Sequence, residues 1–211
     1  MRRLCHLAAA MLIAGSASAH DGEKHADQAE ALRHLSEAPL DGDRLPFPAD
    51  LGGAFTLTDH TGAQRSEADP DGRMQLVFFG YAKCQAICTV ALPRMAEITE
   101  IAAEAGLPVR PVLITVDPAR DTPETMAEPL AELHPDMIGL TGTEAELADV
   151  RALFQIERKL VFEDPEYGPI YAHGSFIYLM DAEGALLTLI PPIISPARGA
   201  EIVAKYADLG G

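Results

Sequence analysis

Met74-Gln75-Leu76-Val77-Phe78-Phe79-Gly80, followed at once by Tyr81-Ala82-Lys83-Cys84-Gln85-Ala86-Ile87-Cys88, is the stretch on which the fold turns. Its first half is a short, unbroken apolar run closed by glycine, the pattern of a strand buried on both faces. Its second half enters a segment, Ala86 to Ala105, in which Ile87, Val90, Leu92, Met95, Ile98 and Ile101 recur at helical spacing before Gly106. The glycine is placed to close that helix. Strand, glycine turn and helix together announce an α/β arrangement.

The alternation continues outward. Upstream, Phe55, Leu57 and the turn Asp59-His60-Thr61-Gly62 predict a hairpin. Downstream, Pro111 to Val116 reads as a second buried strand, and Thr122 before Pro123 starts a helix reaching about His134. Met137 to Leu140 is a short strand; Thr143 and Glu146 then form a capping box for a helix ending near Phe154. Strands follow near Lys159–Phe162, Ser175–Met180 and Leu186–Ile190, with Asp181 to Gly184 turning the last pair and a final helix from about Ala197 to Leu209. The order is that of a thioredoxin-like α/β domain: a central mixed sheet flanked by helices, with an N-terminal hairpin and an inserted helix-strand.

Composition limits what such a domain can do. A chain of 211 residues with 48% hydrophobic and 23% charged residues can build one sizeable core. A formal charge of -16 repels phosphate backbones and anionic lipid, so neither nucleic acid nor a membrane surface is an expected partner. Arg2 and Arg3, the apolar run Leu7 to Ile13 and the exit Ala17-Ser18-Ala19 have the layout of a signal peptide over residues 1–19. Cleavage after Ala19 would leave 14 basic against 32 acidic residues, or -18. An uncleaved anchor is the rival reading, and either one places the protein outside the cytoplasm, in the periplasm or facing it. Residues 20–43 read as an acidic tail carrying His20, His25 and His34, and residues 44–211 as the folded domain.

Export makes the cysteines matter, because an oxidising compartment turns a pair of thiols into a redox element. Of three Cys, Cys5 falls in the signal segment, leaving Cys84 and Cys88 at the mouth of a helix. Helix-start amides and the positive dipole end favour thiolate there. Four residues apart, the two sulfurs share a face of a helical turn. They can pinch one soft ion, copper(I) or zinc, or close as a disulfide. A purely structural staple is the weaker reading, since so short a loop restrains the unfolded chain little.

A further ligand must come from elsewhere. His60 is expected in a solvated surface turn, and His134 at a helix end, capping a carbonyl. His173, in Tyr171-Ala172-His173-Gly174-Ser175, precedes a strand in a loop that a thioredoxin-like arrangement turns toward the cysteines. Asp117, Arg120 and Asp121 read as a charged loop, either solvated beside a helix cap or a docking surface.

From about Phe55 to Leu209 the chain resembles the Sco/SenC family of copper-binding, thioredoxin-like proteins. The resemblance rests on Phe78 through Cys88 and on Val116-Asp117-Pro118-Ala119-Arg120-Asp121-Thr122-Pro123-Glu124. His134-Pro135, Ile138-Gly139-Leu140-Thr141-Gly142 and His173-Gly174-Ser175-Phe176-Ile177-Tyr178-Leu179 follow in family order. It implies one copper, as Cu(I) or Cu(II), on Cys84, Cys88 and His173. It further implies a copper chaperone rather than an enzyme, handing metal to a copper-accepting protein, with cytochrome c oxidase subunit II the leading candidate. The alternative is a thiol–disulfide oxidoreductase in which Cys84 and Cys88 are the redox-active pair. Three positions depart from the family pattern. Gln85 and Thr89 stand where proline commonly follows each cysteine, and Ala172 where Asp commonly precedes the histidine. The loop thereby regains amide donors, and the imidazole loses an acidic neighbour.

Overall fold

Residues 51–82 and 88–209 are described by a computed structural model. The chain divides into two units, Met1–Arg44 and Leu45–Gly211, and the described residues belong to the second. The expected signal peptide, the histidine-bearing tail and Cys84 lie outside the described residues.

The strands are β1 (Thr56–Asp59), β2 (Gln64–Ser66), β3 (Met74–Gly80), β4 (Val109–Thr115), β5 (Ile138–Thr141), β6 (Lys159–Asp164), β7 (Gly168–Ala172), β8 (Ile177–Met180) and β9 (Leu186–Ile190). The helices are α1 (Cys88–Glu104), α2 (Pro123–Leu133), α3 (Glu144–Leu153) and α4 (Pro196–Leu209). Seven strands form one sheet in the order β2-β1-β5-β4-β3-β8-β9. β3, β4 and β5 run parallel, while β1 pairs antiparallel with β5 and β8 with β3. This is the mixed, helix-flanked sheet expected from the pattern.

Local chemistry explains the elements. β3 and β4 are buried nearly throughout, as strands between two helical layers must be. Thr122 accepts the Thr125 N–H with Pro123 opening α2, and Thr143 and Glu146 cap α3 reciprocally. The Asp59 carboxylate organises the β1–β2 turn, accepting the Thr61 N–H at 2.8 Å, the Ala63 N–H at 3.0 Å and the Arg65 guanidinium at 2.8 Å. Burial alone would raise that carboxyl, but these bonds outweigh it and hold its pKa at about 2.

Alternation along β3 divides the core. Gly80 and Phe78 face the start of α1, where a Cβ on Gly80 would meet Cys88 Sγ. Phe79 points the other way, with its ring centroid 5.1 Å from that of Phe154 just past α3. Tyr178 completes this second layer, 5.8 Å from Phe79 and 5.4 Å from Phe154. Burying each such ring stabilises the fold by about 1.5–3 kcal/mol. α4 packs on α1 so closely that Gly199 leaves no room for a Cβ beside Ile98.

One element was not expected. β7, Gly168-Pro169-Ile170-Tyr171-Ala172, pairs with β6 in a separate two-stranded sheet rather than in the main one. The loop expected before β8 therefore begins only at His173.

Candidate metal centre

The parallel strands β3 and β4 end side by side, with Gly80 paired to Thr115 and the Val116 N–H donating to the Gly80 carbonyl at 2.7 Å. Chain crossings at such strand ends leave a crevice for ligands. Cys88, the first residue of α1, lies over this end and is only 2% exposed. Its sulfur is turned toward Gly80. Gly80 is the residue that makes the space: a Cβ there would lie 2.9 Å from Cys88 Sγ and 2.8 Å from Phe78 Cε1.

His173 arrives from the end of β7. Its Nε2 stands 3.8 Å from Cys88 Sγ, across 85 residues of sequence. Its Nδ1 lies 2.9 Å from the Gly174 carbonyl oxygen. A carbonyl can only accept, so Nδ1 carries the proton, and in the neutral ring the Nε2 lone pair is left facing the sulfur. The imidazole is wedged edge-on between two rings, 5.8 Å from Phe78 and 6.0 Å from Tyr81. Among the described residues no group of three or more His, Cys, Asp or Glu is placed to hold a metal ion. Cys88 and His173 are the described members of the expected trio.

The Val116–Glu124 segment departs most from expectation. Asp117 and Asp121 are 1% and 3% exposed, so these two carboxylates are not the solvated loop charges expected. Asp121 Oδ2 accepts the Ala82 N–H at 2.9 Å and the Thr115 hydroxyl at 2.7 Å. Thr115 Oγ1 in turn accepts the Asp117 N–H at 2.9 Å. Burial pushes the Asp121 carboxyl above its ordinary range; bonds from Thr115 and Ala82 oppose this, the Asp117 charge adds to it, and the Arg120 charge opposes it. Arg120 pairs with the Asp117 carboxylate and donates to the carbonyl of Tyr167 and, at 2.6 Å, to that of Pro169. Its guanidinium lies 4.9 Å from the centre of the Tyr81 ring. Sequence reasoning missed these residues as parts of the site.

The other described histidines, His60 and His134, bond to the backbone. His60 is half-buried: its Nδ1 accepts the Gly139 N–H at 3.2 Å, while its own N–H donates to the Gly139 carbonyl at 2.9 Å. It extends the β1–β5 pairing and is more than a solvated turn residue. His134 caps α2 as expected at a carbonyl, its backbone N–H donating to that of Leu130 at 3.0 Å, while its Nδ1 accepts the Asp136 N–H at 3.0 Å.

The SCO1/SenC family model matches residues 43–208. The chain belongs to the SCO1/SenC family. A SCO2-like protein of Rickettsia conorii is 39% identical over 140 residues, covering 65% of this chain and 67% of that protein. The match spans 67% of the length of the Rickettsia conorii protein and 50% of that of the human SCO2 homologue. Two solved structures resemble the fold throughout. Arabidopsis thaliana ScoI with copper bound is 27% identical at a TM-score of 0.69, covering 75% of this chain and 99% of that one. Bradyrhizobium japonicum ScoI with copper bound is 32% identical at a TM-score of 0.65, covering 74% and 99%. Membership agrees with the thioredoxin-like fold, a mixed central sheet flanked by helices. No described helix is long and apolar enough to cross a membrane.

Proposed function

We propose that this protein is an exported copper carrier that holds one copper ion on the thiolates of Cys84 and Cys88 and the imidazole of His173. The observation that carries the reading is the 3.8 Å approach of His173 Nε2 to Cys88 Sγ, with Nδ1 turned to the Gly174 carbonyl. Metal–sulfur and metal–nitrogen bonds of about 2.3 and 2.0 Å, as for zinc, span about 3.7 Å when they meet at a trigonal angle. The pair therefore fits a single three-coordinate ion without rearrangement. Two soft thiolates and one imidazole suit Cu(I), and they also tolerate Cu(II). Solved relatives that carry copper add support.

An ion held by three donors leaves a position for an incoming ligand, so copper can pass by stepwise exchange to an accepting protein. The family's association with cytochrome c oxidase assembly makes the copper centre of subunit II the leading acceptor. Residues 1–19 then serve as the export signal and 20–43 as a tail before the carrier domain of 44–211. The test is an anaerobic Cu(I) competition titration of the reduced, metal-free protein. One tightly held copper per chain is expected, with affinity strongly reduced in Cys84→Ser, Cys88→Ser and His173→Ala; equal affinity in all four proteins sinks the reading.

The burial of Cys88 supports a second activity of the same pair. A thiolate at Cys84 would attack a partner disulfide, expelling one partner thiolate. Cys88 would then attack the mixed disulfide, expelling the second and leaving a Cys84–Cys88 disulfide and a reduced partner. Reduction of a protein disulfide by the metal-free protein, undiminished by His173→Ala, would mark this activity.

A further inference from the structure

We infer that Arg120 is a latch: it fastens the β6–β7 hairpin, with His173 at its end, to the strand ends that lead into the cysteine loop. It is a positioning residue and touches neither Cys88 nor His173 in the bonds described.

One guanidinium joins three parts of the chain. Its Nε pairs with the carboxylate of buried Asp117, whose backbone N–H donates to Thr115 Oγ1 at the end of β4. Nη1 and Nη2 donate to the carbonyls of Tyr167 and Pro169, at the turn of the hairpin. The flat face lies over Tyr81, whose ring meets the His173 imidazole edge-on. Gly168, with φ at +76°, brings the turn so near that a Cβ would stand 3.3 Å from Arg120 Nη1.

The hairpin needs such a fastening. It shares no strand pairing with the seven-stranded sheet, and Leu160, Val161 and Phe162 on β6 are exposed, so its apolar anchorage to the core comes from β7, through Tyr171. A two-stranded ribbon of this kind is marginal by itself. Arginine suits the task because its planar fork reaches a carboxylate and two carbonyls at once, whereas a lysine ammonium places all its donors on one nitrogen.

The latch stands on contacts within the chain, and its consequence for metal rests on the copper reading; the experiment separates the two. Amide hydrogen exchange is followed by mass spectrometry on the full, reduced, metal-free chain as wild type, Arg120→Met and Arg120→Lys, and the same samples are titrated with Cu(I). The lysine variant keeps a charge beside Asp117 should the methionine variant fail to fold. Expected is exchange about tenfold faster or more across residues 159–174 in either variant, with β3 and β4 amides unchanged, and copper affinity lower by about tenfold. Unchanged hairpin exchange overturns the latch. Faster hairpin exchange with wild-type copper affinity, while Cys88→Ser and His173→Ala still abolish binding, overturns its link to the site. Should the wild type take up no copper, the carrier reading falls and the exchange result alone decides the latch.

Discussion

The Asp121 carboxylate accepts the Ala82 backbone N–H at 2.9 Å, so a buried acid 39 residues away fixes the point where the chain enters the cysteine loop. The same oxygen takes the Thr115 hydroxyl at 2.7 Å. Two adjacent strand ends are thereby tied together beneath the site.

Asp121→Asn keeps an oxygen able to accept both bonds and removes a carboxyl that burial already pushes toward its neutral form. Its stability in urea is expected to match the wild type or exceed it slightly. Asp121→Ala leaves a buried amide and a buried hydroxyl unpaired, at a cost of about 2–3 kcal/mol. The asymmetry between the two variants is the readout.

Gly80→Ala tests the space made for sulfur. The new methyl would fall 2.9 Å from Cys88 Sγ and 2.8 Å from the Phe78 ring, so one of them must move. Overpacking of this kind costs about 1–3 kcal/mol. Copper affinity should fall along with the urea midpoint, whereas Gly106→Ala, at a positive φ with open space around it, should affect the midpoint alone.

Removing a ligand and tuning one should differ in size. His173→Ala is expected to weaken Cu(I) binding by more than about 100-fold, beyond the 10–100-fold typical of outer-shell partners. Ala172→Asp, on an exposed position beside the imidazole, should strengthen binding by about tenfold or less. Both follow from competition titrations at fixed pH.

Asp59 sets an acid limit on the fold. Its carboxyl ionises at about 2 in the folded protein against an ordinary 3.8, so its stabilisation is complete above the ordinary value and disappears as pH falls toward 2. Wild type should lose on the order of 2 kcal/mol through this window from Asp59 alone. Asp59→Asn should be less stable at pH 7 and lack that part of the acid dependence, as urea unfolding at a series of pH values would reveal.

Much of this architecture is legible because it is local. Capping at Thr122 and Thr143, the glycine ending β3 and the helical spacing of Leu92, Met95 and Ile98 each act within a few residues. β7 escaped notice because glycine and proline open it and it pairs outside the main sheet. Cys88 and His173 were legible by residue type and by position in a thioredoxin-like order, although their 3.8 Å approach is a tertiary fact. Asp117, Arg120 and Asp121 were misread because charged loop residues are usually solvated. Their partners, Ala82, Tyr167 and Pro169, are 39, 47 and 49 positions away from Asp121 or Arg120, where no local pattern can signal burial. The Val-Asp-Pro-Ala-Arg-Asp-Thr-Pro motif was the available signal, read for resemblance and not for mechanics.

The independence of the β6–β7 ribbon has an evolutionary side. Because none of its rungs belongs to the main sheet, substitutions on its outer face can accumulate without shifting the register of the strands beneath. Such a ribbon is a module whose outer surface can diversify while the scaffold under it stays constant.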